Sequence, residues 1–389
     1  MTKSYKAIVN PELLVWARES ASMDIGNAAK RLHISNEKLM AWELGTDSPT
    51  VVQLRKLAQL YRQSFAAFYL PSPPDVFHPP TRDYRRLPGG LTGVVSPNLT
   101  LEMRIAVDRR DICLELMAEK GEQVPNFTSL TLSREGDPET ASAHLRSVLG
   151  INWEQQKNWN DPRIAFNVWR DAIETNGVLV FQTSAVPLVE MRGFSVAIFP
   201  LPVVVVNRKD AYAGRLFSMV HELAHVMLHS SGLCDLEVSP QLSSQDQNTE
   251  VICNHIAGAT LVPKDLLMNN PLVKYMDHPY WDDAALNELS QSFSVSREVI
   301  LRRLLILDLT TTEYYQKKRE QFLREYRRRR TTKGFVHPVT NVISTAGKTF
   351  TKIVFDAFNN GRITANDASD FFGLKTKHFE QLGFRLSHG

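Results

Sequence analysis

Apolar residues in the first seventy positions recur at three- and four-residue spacing, the period of a helix. "PELLVWARES" puts Leu13, Leu14, Trp16 and Ala17 on one stripe. In "DIGNAAKRLHISNEKLMAWELG", Asp24 can cap a helix whose apolar face is Ile25, Ala28, Ala29 and Leu32. "HIS" makes a turn, Ser35 or Asn36 caps a second helix with Leu39, Met40 and Trp42 inward, and Gly45 ends it. "SPTVVQLRKLAQLY", with Pro49 in its first turn, and "QSFAAFYL" complete an all-helical segment. The proline and glycine of "PSPPDVFHPPTRDYRRLPGG" then break the pattern. A connecting helix is expected over about 97–121, and further helices near 138–149 and 162–175. Strands are expected at "GVLVF" and in "FSVAIFPLPVVVVN", which reads as two strands joined by a Pro-rich turn. A helix over about 211–229 follows, then a polar loop and the helix "NTEVICNHIAGATLV". "DDAALNELSQSFSVSREVILRRLLIL" and "ITANDASDFFGLKTKHFEQL" each read helix, turn, helix; Ala368 and Phe371 are the expected packed face of the latter.

The sum is an α+β protein, mostly helical. It divides into an all-α helix-turn-helix domain over 1–75, a Pro-rich linker and connecting helix over 76–125, a central domain with a small sheet over 126–310, and a basic helix with a helix-turn-helix-like module over 311–389. At 389 residues the chain has room for two or three domains of roughly 150 residues. A formal net charge of +3 does not by itself argue for nucleic acid. Cys113, Cys234 and Cys253 have no zinc-ribbon or redox spacing. The N-terminal stretch lacks a signal-peptide core, and the longest apolar run is too short for a membrane span. A cytoplasmic protein without a membrane partner is expected.

The chemistry concentrates in "LFSMVHELAHVML". On a helix, His221 and His225 sit one turn apart on one face and can aim two imidazoles at one metal. Glu222 stands beside the first, where it can serve as general base toward a metal-activated water. Chance occurrence of HExxH in a chain of this composition is on the order of one in a hundred. Phe217, Val220, Ala224 and Leu228 make the helix largely buried, and a buried helix rarely carries two unpaired histidines and a glutamate. A catalytic Zn2+ site needs a third protein ligand. His229 lies eight residues from His221, about 12 Å along a helix, too far for one ion with bonds of about 2 Å. It is assigned to a supporting or packing place behind the ligands. Glu250 opens the next helix, on a face continued by Asn254 and Ala257, and is the third ligand; His255 points elsewhere. Asn254 is placed in the supporting shell.

"RLFSMVHELAHVMLH" followed by "EVICNHIAGATLVP", with "MRGFSVAIF" and "PVVVVN" upstream, resembles the ImmA/IrrE family of metallopeptidases over roughly residues 130–310. The resemblance implies a zincin-like fold, His221, His225 and Glu250 as zinc ligands, Glu222 as catalytic base, and cleavage of a specific regulatory protein such as a repressor or antitoxin. Ile256 stands where the family more often has an aromatic residue. "PVVVVN" could align a peptide by strand addition, or simply be core.

"AAKRLHISNEKLMAWELG" is similar to a Cro/repressor-like, Xre-type helix-turn-helix, with His33 where that family often has glycine. Residues 24–44 would then bind double-stranded operator DNA, with Asn36, Glu37, Lys38 and Ala41 facing the major groove and a homodimer supplying two such helices. Against this, the second helix offers one lysine beside Glu37 and Glu43, which also suits a protein-interaction or dimerisation module. The run Arg327 to Arg330 could supply phosphate contacts or be a solvated linker helix. The competing reading of the whole chain is a non-enzymatic repressor or antitoxin with a structural or sensory metal domain.

Overall fold

The computed structural model describes residues 5–74, 82–83, 96–125, 127, 136–159, 161–229, 232–234, 244–328 and 336–388. The chain forms two compact units, Met1–Pro80 with Leu91–Ile105, and Thr81–Gly90 with Ala106–Gly389.

The first unit contains α1 (Pro11–Ser20), α2 (Ile25–Leu32), α3 (Asn36–Glu43), α4 (Val51–Tyr61) and the start of α5 (Pro97–Lys120). Side-chain oxygens of Asn10, Asp24, Ser35 and Thr50 cap α1 to α4 in turn, which satisfies the amides that each helix start leaves bare. Leu13, Leu14, Leu39, Trp42, Leu54 and Leu57 fill the core. The guanidinium of Arg18 on α1 makes a two-pronged bond to Glu43 on α3, at 2.8 and 3.0 Å. His33 takes the left-handed conformation at φ 56° between α2 and α3. The turn thus keeps a geometry suited to glycine, at a cost of about 1 kcal/mol. Met40 does not point inward as expected: it is 45% exposed. Leu39 and Trp42, three apart, define the inward stripe of α3, and Met40 falls outside it.

The second unit holds the sheet. Its strands are β1 (Arg82–Asp83), β2 (Leu179–Thr183), β3 (Gly193–Val196), β4 (Val203–Asn207) and β5 (Gly232–Cys234), in the order β1-β5-β3-β4-β2. β4 runs parallel to β2 and antiparallel to β3, β3 is antiparallel to β5, and β5 is parallel to β1. All five residues of β4 are buried. "PVVVVN" is therefore an interior strand and not a peptide-binding edge; an unbroken valine run is the mark of burial on both faces. Around the sheet lie α6 (Pro138–Val148), α7 (Trp153–Gln156), α8 (Pro162–Thr175), α9 (Tyr212–Met227) and α10 (Ser244–Leu261). α9 packs across β3 and β4, with α8 and α10 against it. α11 (Lys264–Met268), α12 (Pro271–Lys274), α13 (Asp283–Phe293), α14 (Arg297–Ile306) and α15 (Thr312–Arg328) extend the helical layer.

α15 is docked near its middle by ion pairs, Lys318 to Asp283 at 2.9 Å and Arg319 to Glu298 at 3.3 Å. Arg327 and Arg328 end its backbone, whereas Arg329 and Arg330 fall outside the described residues. The last helices are α16 (Pro338–Ala346), α17 (Lys348–Asn359), α18 (Ala365–Phe372) and α19 (Phe379–His388). Phe372, not Phe371, is the buried aromatic of α18, together with Ala368. That pair is one helical turn apart, i to i+4, and so shares a face. α16 lies against the outer side of β2. There Arg170 of α8 donates to the Ser344 carbonyl at 2.7 Å and pairs with Glu174 at 2.9 Å, and Glu174 accepts from the Thr349 amide at 3.0 Å. No helix among the described residues is long and apolar enough to cross a membrane.

Candidate metal centre

α9 is buried on every side from Leu216 to Met227. Its entry is fixed by Asp210, which accepts from the Ala211 amide at 2.8 Å and is paired with Arg192 at 2.8 Å; Arg215 donates back to the Asp210 carbonyl at 2.8 Å. The helix thus starts beside β4, and its third and fourth turns carry His221, Glu222 and His225 into the interior.

α10 is held independently. Ser142 of α6 donates to the Ile256 carbonyl at 3.0 Å, and Arg146 to the Thr260 carbonyl at 2.8 Å. Arg303 of α14 is fully buried, bonds the Val262 carbonyl at 2.8 Å and pairs with Glu139 at 2.6 Å; Glu139 also meets His255 at 2.9 Å. Burial raises the Glu139 carboxyl, but the bonds from Arg303 and His255 outweigh it and hold the group below its ordinary range. A carboxylate shifted down in the fold stabilises it above the ordinary carboxylate range, and that contribution is lost as pH falls through the lowered value. The melting temperatures of wild type and Glu139→Gln should therefore differ at pH 7 and converge as the solution is taken below about pH 4. A constant gap across that range would assign the effect to shape and not to charge.

With both helices fixed, His221, His225 and Glu250 bring one donor atom each to a common point, all three buried. The His221 and His225 Nε2 atoms are 3.2 Å apart, and the Glu250 carboxylate lies 3.0 Å from His225 Nε2 and 3.4 Å from His221 Nε2. Donors bonded at 2.0–2.2 Å to one tetrahedral ion stand about 3.3–3.5 Å apart, so the triangle has the size that zinc requires. The donor types, two imidazoles and a carboxylate, are those of a catalytic zinc with one position left for water or substrate. Burial pushes the Glu250 carboxyl up, but hydrogen bonds and charge attraction from the two histidines prevail and hold it well below the carboxylate range. It is ready to ligate as an anion.

The remaining residues read from the sequence separate clearly. Glu222 is 1% exposed, and its carboxylate lies against the backbone of β3 at Gly193. Asn254 is buried one turn after Glu250, and neither its amide nitrogen nor its amide oxygen finds a hydrogen-bond partner among the described residues. His229 is not behind the ligands. α9 ends at Met227, His229 takes φ 50° beyond it, is exposed, and packs its ring 4.7 Å from that of Phe199. Of its two expected places, packing is the one it occupies. In the first unit, Asn36, Glu37 and Lys38 are exposed on the first turn of α3, and Ala41 is half-buried one turn on.

Residues 174–305 match the family model of the IrrE N-terminal-like domain, Peptidase_M78. No curated protein and no solved structure matches the chain. The Peptidase_M78 segment runs from the end of α8 to α14 and contains His221, Glu222, His225 and Glu250. It supports a metallopeptidase of the ImmA/IrrE kind. The sequence pointed to all four residues because each lies on a helix, where spacing translates directly into direction. It missed Gly193, although an isolated glycine inside a strand is itself a sign of close backbone approach. Arg303, Glu139 and His255, which fix α10, come from three helices far apart in sequence and carry no local pattern.

Zinc analysis of purified protein should find about one equivalent per chain, and His225→Ala or Glu250→Ala should lower zinc affinity by roughly 10²-fold or more. Equal zinc content in the triple variant His221→Ala/His225→Ala/Glu250→Ala would place the metal elsewhere.

Proposed function

We propose that this chain is a transcriptional regulator carrying a zinc-dependent peptidase that cleaves a specific regulatory protein. The carrying observation is the buried triangle of His221, His225 and Glu250 with Glu222 alongside, inside the segment that matches Peptidase_M78. His221, His225 and Glu250 would hold the zinc. When bound, zinc supplies Lewis acidity toward a peptide carbonyl and an attacking water. Glu222 accepts the proton of that water at its carboxylate and returns it to the departing amine. Burial of the whole group excludes bulk water and strengthens each electrostatic contact. The test is cleavage of the protein encoded beside this one by the zinc-loaded chain, with Glu222→Gln as the control.

The DNA-binding part of the proposal rests on α2 and α3, whose left-handed turn at His33 and exposed Asn36, Glu37 and Lys38 suit insertion in a major groove. A duplex taken from upstream of its own gene should be retarded by the full-length protein at low salt. Lys38→Ala should weaken that binding by about 1–3 kcal/mol. No retardation at low salt favours instead a protein-interaction or dimerisation role for this unit, with the peptidase proposal intact.

A further inference from the structure

Glycine is an unexpected residue at position 193. It opens β3, a strand paired on both sides, opposite Val206 of β4 and Cys234 of β5. The rest of the strand, Phe194 to Val196, is made of buried side chains. Glycine weakens such a strand by roughly 0.5–1 kcal/mol relative to alanine. Its backbone does not require glycine either, since Gly193 is not among the residues with positive φ. What the position requires is space. A Cβ there would lie 3.0 Å from Cγ of Glu222, 3.1 Å from its Oε1 and 3.1 Å from the carbonyl oxygen of Val205. Real Cβ atoms rarely come that close to neighbours, so one of the groups would have to shift.

The carbonyl of Val205 is held in the middle of the sheet, and α9 cannot back away because it is buried from Leu216 to Met227. The group left to move is the Glu222 carboxylate. We propose that Gly193 is a positioning residue for Glu222: its missing side chain lets the carboxylate lie flat on the strand, beside the histidine pair. This rests on the reading of Glu222 as the proton-accepting group. A general base acts only within hydrogen-bond reach of its proton, so even the few tenths of an ångström needed to relieve these contacts would weaken its hold on that proton. Any side chain at position 193 would therefore leave the zinc ligands in place and misdirect the base.

Acetohydroxamate tests this without knowledge of the natural substrate, because it chelates zinc while its hydroxyl bonds to a carboxylate at the position of the base. Zinc content, acetohydroxamate affinity by calorimetry and melting temperature should be measured for wild type, Gly193→Ala, Glu222→Ala and the double variant. Gly193→Ala is expected to keep its zinc and to bind acetohydroxamate about threefold to tenfold more weakly, because a hydrogen bond to a charged group is lengthened but not lost. In the Glu222→Ala background the same substitution should produce no further loss, and it should lower the melting temperature less than it does in wild type. Wild-type affinity in Gly193→Ala overturns the proposal, as does an equal loss in both backgrounds. If Gly193→Ala does not fold but the double variant does, the coupling is shown directly. If neither folds, Gly193 serves the sheet alone and the proposal fails. Failure of the underlying reading is distinct: wild-type protein would take up no zinc, or Glu222→Ala would bind acetohydroxamate as wild type does.

Discussion

Glu222→Gln is expected to leave about one zinc per chain in place and to reduce cleavage of the partner protein by roughly 10²–10⁴-fold. The substitution keeps the side chain's shape. It leaves untouched the three donors, whose separations of 3.0 to 3.4 Å define the metal position. It removes the one capacity that an amide lacks, acceptance of a proton. Glu250→Gln is the instructive contrast. There the lost charge belongs to a ligand that the two histidines hold ionised, so zinc itself should be lost along with turnover. Metal analysis beside a cleavage assay separates the two cases. Undiminished cleavage by Glu222→Gln would mean that the proton travels by another route, and the peptidase mechanism given above would have to be abandoned.

Gly347→Ala should be among the most damaging single substitutions for stability in the second unit. Gly347 joins α16 to α17 at φ 81° and ψ 161°, a conformation nearly restricted to glycine. A Cβ there would sit 2.3 Å from Oε1 of Glu174 and 3.0 Å from Nη2 of Arg170. Those two form a buried pair that also binds the Ser344 carbonyl and the Thr349 amide. Burial raises the Glu174 carboxyl, so its charge depends on Arg170 staying in place. Backbone strain and a displaced ion pair together are worth about 3 kcal/mol or more, equivalent to roughly 5–10 °C in melting temperature for a unit of this size. Gly361→Ala is the matched control. It too has positive φ, at 67°, but nothing lies within 4 Å of its added Cβ, so only about 1 kcal/mol of backbone cost is expected. Equal losses in the two variants would show that the ion pair plays no part.

The candidate metal centre was legible in the sequence because its residues sit on two helices, and helical period fixes which residues of a helix share a face. His221 and His225 needed only that rule; Glu250, on the next helix, needed in addition the third ligand that a zinc site requires. Elements of the same rank without a period were not legible. β1 and β5 are two and three residues long, too short to show alternation. "PVVVVN" carried a clear strand signal, but its place in the sheet depends on which strands pair with it, and β2 lies more than twenty positions earlier. Met40 and Phe371 failed for a finer reason. The buried stripe runs through Leu39 and Trp42 in α3 and through Ala368 and Phe372 in α18, and the apolar neighbour beside each stripe lies at its margin, where packing and not spacing decides burial. The seats of α16 on Arg170 and Gln182 and of α17 on Glu174 span some 160–175 residues of chain, a distance over which sequence spacing says nothing.

The seat of α16 has a consequence for how the protein could be shortened. β2 ends the sheet, its five residues are buried, and α16 covers its outer side through contacts that include Gln182 donating to the Ser344 carbonyl at 2.7 Å. A chain cut before residue 336 would uncover the free edge of "LVFQT", where among the described residues only the Val180 carbonyl keeps a side-chain partner, Arg170, and such an edge can template strand pairing between molecules. Shortened forms are therefore expected to gather in aggregates even with the zinc ligands intact.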